Sequence, residues 1–315
     1  MRKILFLFIC LAAVSCGGRK PVAPAAPAPR EFPAVEVPSL YTDPDERLGY
    51  VAMHFWDRFL DTTKVFHTDS VLVNGVNIQA LENQFGTFIS LSEMIPLKEG
   101  KAAVNRLFTQ AEAFGRKSPA VFNCLSEWVR KYLYDPNSPA RSEDLYLPWV
   151  QRLADSPLAD TNLRPSYAWE AKMCALNGIG TRAADFSFTD TRGRRRTLYG
   201  IQAEHLLLIF GNPGCHACRE LTEEMGADPS VSALIKSGSL KVVDVYIDEE
   251  IDDWKAHIAE YPADWINGYD HALRIRTDLI YNVRGIPSLY LLDAEKTVLL
   301  KDAPTEKVLD ALASR

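Results

Sequence analysis

From Tyr41 to Gly178 the apolar residues recur at helical spacing. Leu48, Val51, Ala52, Phe55, Trp56, Phe59 and Leu60 share one helix face, with Asp43 placed as a cap and Pro44 suited to the first position. A second stripe runs Ile78, Leu81, Phe85, Phe88, Ile89. A third runs from Ala103 to Phe114 and stops at Gly115. Ser118-Pro119 opens a fourth, through Val121, Phe122, Leu125, Trp128, Val129 and Tyr132. Leu145, Trp149, Val150 and Leu153 make a fifth around Pro148. The sixth runs from Pro165 to Leu176 and stops at Asn177-Gly178. No β-alternation competes, so residues 40–178 are expected to form an all-α helical domain.

After Gly178 the period changes. "RAADFSFTDTRGRRRTLYG" alternates, turns at Arg192-Gly193 and alternates again, as a β-hairpin does. "HLLLIFGN" and "LKVVDVYID" are continuous apolar runs, expected of strands buried on both faces. "CHACRELTEEM" and "IDDWKAHIAEY" read as helices. "IPSLYLLDAEKTVLL" reads as two strands and "PTEKVLDALAS" as a closing helix. This order predicts a mixed α/β sheet with helices on both faces over residues 179–315.

The N-terminus sets the compartment. Arg2 and Lys3 precede an apolar run from Ile4 to Val14, short of the roughly 20 residues a membrane span takes. With small residues ahead of a cut site, residues 1–15 read as a secretory signal peptide. "AAVSC" resembles a lipobox, with Ala13 where Leu is commoner. The resemblance implies diacylglyceryl attachment at Cys16, hence a lipoprotein held at a bacterial cell-envelope membrane and facing the periplasm. Residues 16–39 are rich in Pro and Ala and read as an extended tether, able to reach on the order of 70 Å at ~3.1 Å per residue. The net charge of −6 and the export signal both argue against nucleic acid as a partner. The run Arg192 to Arg196 reads as a solvated hairpin turn. His54 and His67 have no partner at metal-ligand spacing, and His54 reads as a partly buried core residue.

Of six cysteines, Cys10 belongs to the signal peptide. Cys124 and Cys174 lie among apolar neighbours in helices. A pair of buried thiols and a disulfide both fit them. Cys215 and Cys218, in "FGNPGCHACRE", are two residues apart. Zinc would need two further ligands, and no second CxxC or His pair supplies them. Haem attachment would need His at position 219, which is Arg219. An inert disulfide is compatible with the spacing.

The C-terminal region resembles a thioredoxin-like fold of the TlpA/ResA-like group of exported thiol-disulfide oxidoreductases. Three segments carry the resemblance: "ADFSFTDTRGR", the Cys215-His216-Ala217-Cys218 run between a buried strand and a helix, and "YNVRGIPSLYLLD". The helical region resembles the poorly characterised part upstream of the thioredoxin domain in Bacteroidota lipoproteins. The resemblance implies a redox-active disulfide at Cys215 and Cys218, a cis-proline at Pro287 facing it, and no cofactor or metal. The expected partners are thiols and disulfides of exported proteins and a membrane-embedded thiol donor.

Residue chemistry orders the roles. Cys215 is expected at a helix N-terminus, where free N–H groups stabilise a thiolate. It attacks, and Cys218, one turn on, resolves. The Ile286 backbone is placed to pair with an extended substrate segment. The sequence departs from thioredoxins at three points. Gly214 replaces a Trp and opens the surface, Ile209 stands where a buried acid is frequent, and Asp244 stands where thioredoxin has a lysine. Asp244 is the candidate proton acceptor for Cys218, against the reading in which it faces solvent. His216 would favour a thiolate at Cys215 and a more oxidising pair, or is an exposed spacer. A reductase, a disulfide oxidase or isomerase with the same cysteines, and a non-enzymatic scaffold lipoprotein are the three functions to separate.

Overall fold

The computed structural model describes residues 28–314; the signal peptide and Cys16 lie outside them. The helical region comprises α1 (Pro44–His54), α2 (Ile78–Met94), α3 (Leu97–Gly115), α4 (Pro119–Leu133), α5 (Glu143–Asp155) and α6 (Arg164–Cys174). Asp43 caps α1 through its side chain, and the chain keeps turning beyond His54, so Phe55, Trp56, Phe59 and Leu60 still reach the core. The six expected stripes meet in one core of interlocked aromatic rings, among them Trp56, Phe85, Phe88, Phe108, Phe122 and Trp149.

Two expectations need correction here. A short hairpin, β1 (Leu72–Val73) and β2 (Val76–Asn77), interrupts the all-α reading. Its Asn74-Gly75 turn is a hairpin signal that was too short to register beside the helical stripes. The tether is also packed at its C-terminal end. Phe32 lies against Phe55, Trp56 and Phe59 with ring centroids 5.4–5.5 Å apart, and the Arg30 guanidinium sits over Phe66. Two large side chains among prolines and alanines suffice to dock a segment that has no period of its own.

The second region is built on β3 (Ser187–Asp190), β4 (Arg195–Thr197), β5 (His205–Gly211), β6 (Leu240–Tyr246), β7 (Ile266–Tyr269), β8 (Ser288–Asp293) and β9 (Val298–Lys301). They form one sheet in the order β4-β3-β7-β6-β5-β8-β9. β5, β6 and β7 run parallel and the other pairs antiparallel. Every residue of β5 is buried, as its unbroken apolar run requires. Its side chains alternate between two cores. Leu207 and Ile209 pack under α7 (His216–Ala227), α8 (Pro229–Ser237) and α11 (Thr305–Ala313). Leu206, Leu208 and Phe210 pack against Phe186, Leu198, Tyr281 and Ile275 of the short α10 (Arg274–Thr277). The stretch read as one helix from Ile251 breaks after α9 (Ile251–Ala256) into a tighter turn, Ile258–Glu260. The basic hairpin turn is exposed from Thr191 to Arg195, as expected of a solvated turn. Arg194 and Arg196 both pair with the buried Asp190, whose carboxyl their hydrogen bonds hold down to about 2 against burial, the largest influence on it.

Cys124 and Cys174 are unpaired thiols, the first half-buried and the second buried. Burial pushes the Cys124 thiol up to about 12 and the Cys174 thiol up further.

Candidate active site

β5 ends at Gly211 and α7 begins at His216, and the four residues between them shape the site. Asn212 organises this turn. Its side-chain oxygen accepts from the Gly214 N–H at 2.8 Å, its carbonyl accepts from the Cys215 N–H at 3.0 Å, and its amide donates to Asp248 at 2.8 Å. Arg276 in turn holds Asp248 at 2.7 Å. Cys215 thereby becomes the N-cap of α7, with φ −83° and ψ 123°, and its sulfur accepts from the Cys218 N–H at 3.4 Å. A cap position leaves helix N–H groups without intrahelical partners, and here one of them points at sulfur. The Cys215 thiol donates to the Ile286 carbonyl across 3.8 Å. The Ile286–Pro287 bond is cis.

The two thiols differ in exposure as the expected roles require. Cys215 is half-buried and Cys218 is buried. Burial pushes the Cys218 thiol well up and the contact with Cys215 adds to this, while the Asn212 backbone pulls the other way. Asp244 is buried within β6. It pairs in register with Ile209, and strand alternation puts it on the Val242 side, the face that α7 covers. Burial pushes its carboxyl up to about 7 from an ordinary 3.8. A β-carbon on Gly211 would lie 3.4 Å from one Asp244 oxygen and 3.7 Å from the Cys218 sulfur, so the absence of a side chain there leaves acid and thiol facing the same small space.

The structure thus brings Cys215, Cys218, Ile286, Pro287 and Asp244 to one place. Gly214 is exposed beside them. His216 turns outward instead, 76 % exposed and 3.2 Å from Glu220. Sequence reasoning missed Asn212, whose role in an Asn-Pro-Gly turn has a signal in that composition. It also missed the helical region's contribution. A cleft of about 470 Å³ runs beside Ile286 and Pro287, with Ala217 and Glu220 on one side and Pro136, Asn137 and Arg141 on the other. A second hollow, of about 360 Å³, lies over Cys218 between Asn212, Thr222 and Tyr261.

A paired-cysteine helix start, a parallel strand pair and a cis-proline loop define a thioredoxin-like fold. Across both regions the structure is similar to a thioredoxin-like protein from Bacteroides caccae, at TM-score 0.76 and 34 % identity, covering 91 % of this chain and 99 % of that one. The chain belongs to the family described as domain of unknown function DUF5106, which matches residues 13–171. The C-terminal part is similar to the C-terminal domain of an uncharacterized protein from Bacteroides fragilis, 47 % identical over 44 % of this chain and 98 % of that one, at TM-score 0.43. Bovine nucleoredoxin is 26 % identical over 111 residues, 35 % of this chain. The chain spans about a quarter of that relative's length.

Proposed function

We propose that this chain is a thiol-disulfide oxidoreductase that reduces disulfides of exported proteins while held at the envelope membrane through a lipid on Cys16. The observation that carries the reading is the stacking of three groups: a half-buried thiol capping α7, a buried thiol one turn on, and a buried carboxyl beneath it. Cys215 as thiolate attacks one sulfur of a partner disulfide. The partner's S–S bond breaks, a mixed disulfide with Cys215 forms, and the first partner sulfur leaves as a thiolate that takes a proton from water. Cys218 then attacks the Cys215 sulfur, giving its proton to Asp244. The second partner thiolate leaves, and the cysteine pair, now the Cys215–Cys218 disulfide, has given up the two electrons that reduce the partner disulfide to two thiols. A membrane thiol donor returns the pair to dithiol.

Ile286 supplies the place where the partner backbone lies, because its carbonyl stands beside the attacking sulfur in a loop with free backbone groups. His216 faces outward toward Glu220, and the choice of the reducing direction rests on the family resemblance. The test is the equilibrium of the cysteine pair in glutathione buffers. A reductant gives a potential near about −270 mV, whereas a value near about −120 mV makes it an oxidant and the absence of any redox response removes the reading. Anchoring is tested separately: a Cys16→Ser chain should leave the membrane fraction.

A further inference from the structure

The loop that presents Ile286 has little backbone frame. Among the described residues, none of the N–H groups of residues 279–286 donates to a backbone carbonyl. Side chains hold it instead, and they lead to the helical region. Glu143, the first residue of α5, is buried, and its Oε1 accepts from Asn282 at 2.5 Å and from Arg284 Nε at 2.7 Å. Its Oε2 pairs with the buried Lys301 ammonium at 2.8 Å. Arg284 also donates to the Tyr134 carbonyl, lies over the Tyr134 ring, and pairs with Asp302 at 2.7 Å. Asp302 accepts from Ser288 Oγ at 2.8 Å. Pro136 lies against Gly285, 3.2 Å from where a side chain there would begin. Residues on both sides of Ile286–Pro287 are therefore tied to one ionic cluster whose central carboxylate belongs to the other region.

We propose that Glu143 is a positioning residue for the cysteine pair: through Asn282 and Arg284 it fixes the loop that sets the Ile286 carbonyl 3.8 Å from the Cys215 sulfur, which makes the helical region a working part of the site. The inference rests on the redox reading above. An alternative explanation is that Glu143 only joins the two regions. Without the Glu143 charge the buried Lys301 ammonium loses its paired carboxylate and Arg284 keeps only the Asp302 carboxylate. Because an unpaired buried charge is costly, Arg284 has reason to move. The loop moves with it, and the partner backbone loses its register beside Cys215. The two explanations differ in kinetics. Loss of fold removes active molecules, lowering kcat at constant KM, whereas a displaced loop raises KM.

The experiment measures reduction of the insulin interchain disulfides, with dithiothreitol as terminal reductant, by the full chain in detergent. Glu143→Gln is compared with Arg284→Lys, which keeps a charge but loses the planar fork. Glu112→Gln is the control: it breaks a partly buried carboxylate's contacts with Ser156 and Arg152, at the end of α5 opposite Glu143. Both loop variants should raise KM by about tenfold, with the control at the wild-type KM. Wild-type KM in Glu143→Gln and Arg284→Lys, beside normal wild-type turnover, overturns the inference and leaves the redox reading standing. Equal KM increases in all three variants overturn it too, by showing a general effect of breaking ion pairs. Absence of insulin reduction by the wild type removes the redox reading, and the inference falls with it.

Discussion

Asp244 and Cys218 face one another across the space beside Gly211, at 3.4 and 3.7 Å from the point where a residue-211 β-carbon would sit. These are ordinary contact distances, so Gly211→Ala is tolerated by the fold while its methyl stands between acid and thiol. The variant should form the mixed disulfide at the normal rate and resolve it about tenfold more slowly or worse. Rapid acid quenching and non-reducing gels measure both steps.

The pH dependence of that second step follows from the same carboxyl. Asp244 titrates at about 7, and only its ionised form accepts a proton. Resolution in the wild type should therefore rise with pH through about 7, and Asp244→Asn should be slow and lack this rise. Wild-type resolution rates in Asp244→Asn at every pH would show that another group takes the proton.

The carboxyl also makes stability depend on pH. Its folded value of about 7 lies above the ordinary 3.8, so the folded chain holds this proton more tightly than the unfolded chain does. Below about pH 4 both states are protonated and the group costs least. Between about pH 4 and pH 7 the unfolded chain releases this proton first, so the folded state loses ground as pH rises, by about 4 kcal/mol in all, and levels off above about 7. Asp244→Asn should consequently stabilise the chain in urea unfolding at pH 8 far more than at pH 4. An equal gain at both values would mean that the carboxyl does not ionise in this window.

Phe32 tests the packing of the N-terminal segment. Its ring contacts Phe55, Trp56 and Phe59. Phe32→Ala should lower stability by roughly 2 kcal/mol, below the range of about 3–5 kcal/mol for a fully buried ring because Phe32 is half-buried. Thermal unfolding at the wild-type midpoint would mean that the segment is only a tether.

The legible parts of the chain were those with a long period or a strong local signal. The six helical stripes, the runs of β5 and β6 and the hairpin at Gly193 all showed in the sequence because burial dictates residue type at many successive positions. β7 did not. "INGY" has the composition of a turn, and it is a strand because Gly268 lets the Phe188 ring and the Thr189 carbonyl approach within about 3 Å of its missing β-carbon. At the site, Cys215, Cys218 and Pro287 were readable from spacing and resemblance, and Asp244 from a carboxylate set among apolar residues. Glu143, Asn282, Arg284 and Lys301 were not. Each is an ordinary polar residue locally, and a sequence separation of 139 between Glu143 and Asn282 hides a contact that only the fold creates.

The fully buried β5 has a temporal consequence. A seven-residue strand paired on both edges belongs to the last backbone to open, so its amides should exchange with solvent near the global limit. The cysteine turn grows from its end and inherits that permanence. The Ile286 loop opposite hangs on side-chain bonds that can release one at a time. One jaw of the cleft therefore keeps its shape for as long as the fold lasts, while the other is held by contacts that can be lost singly.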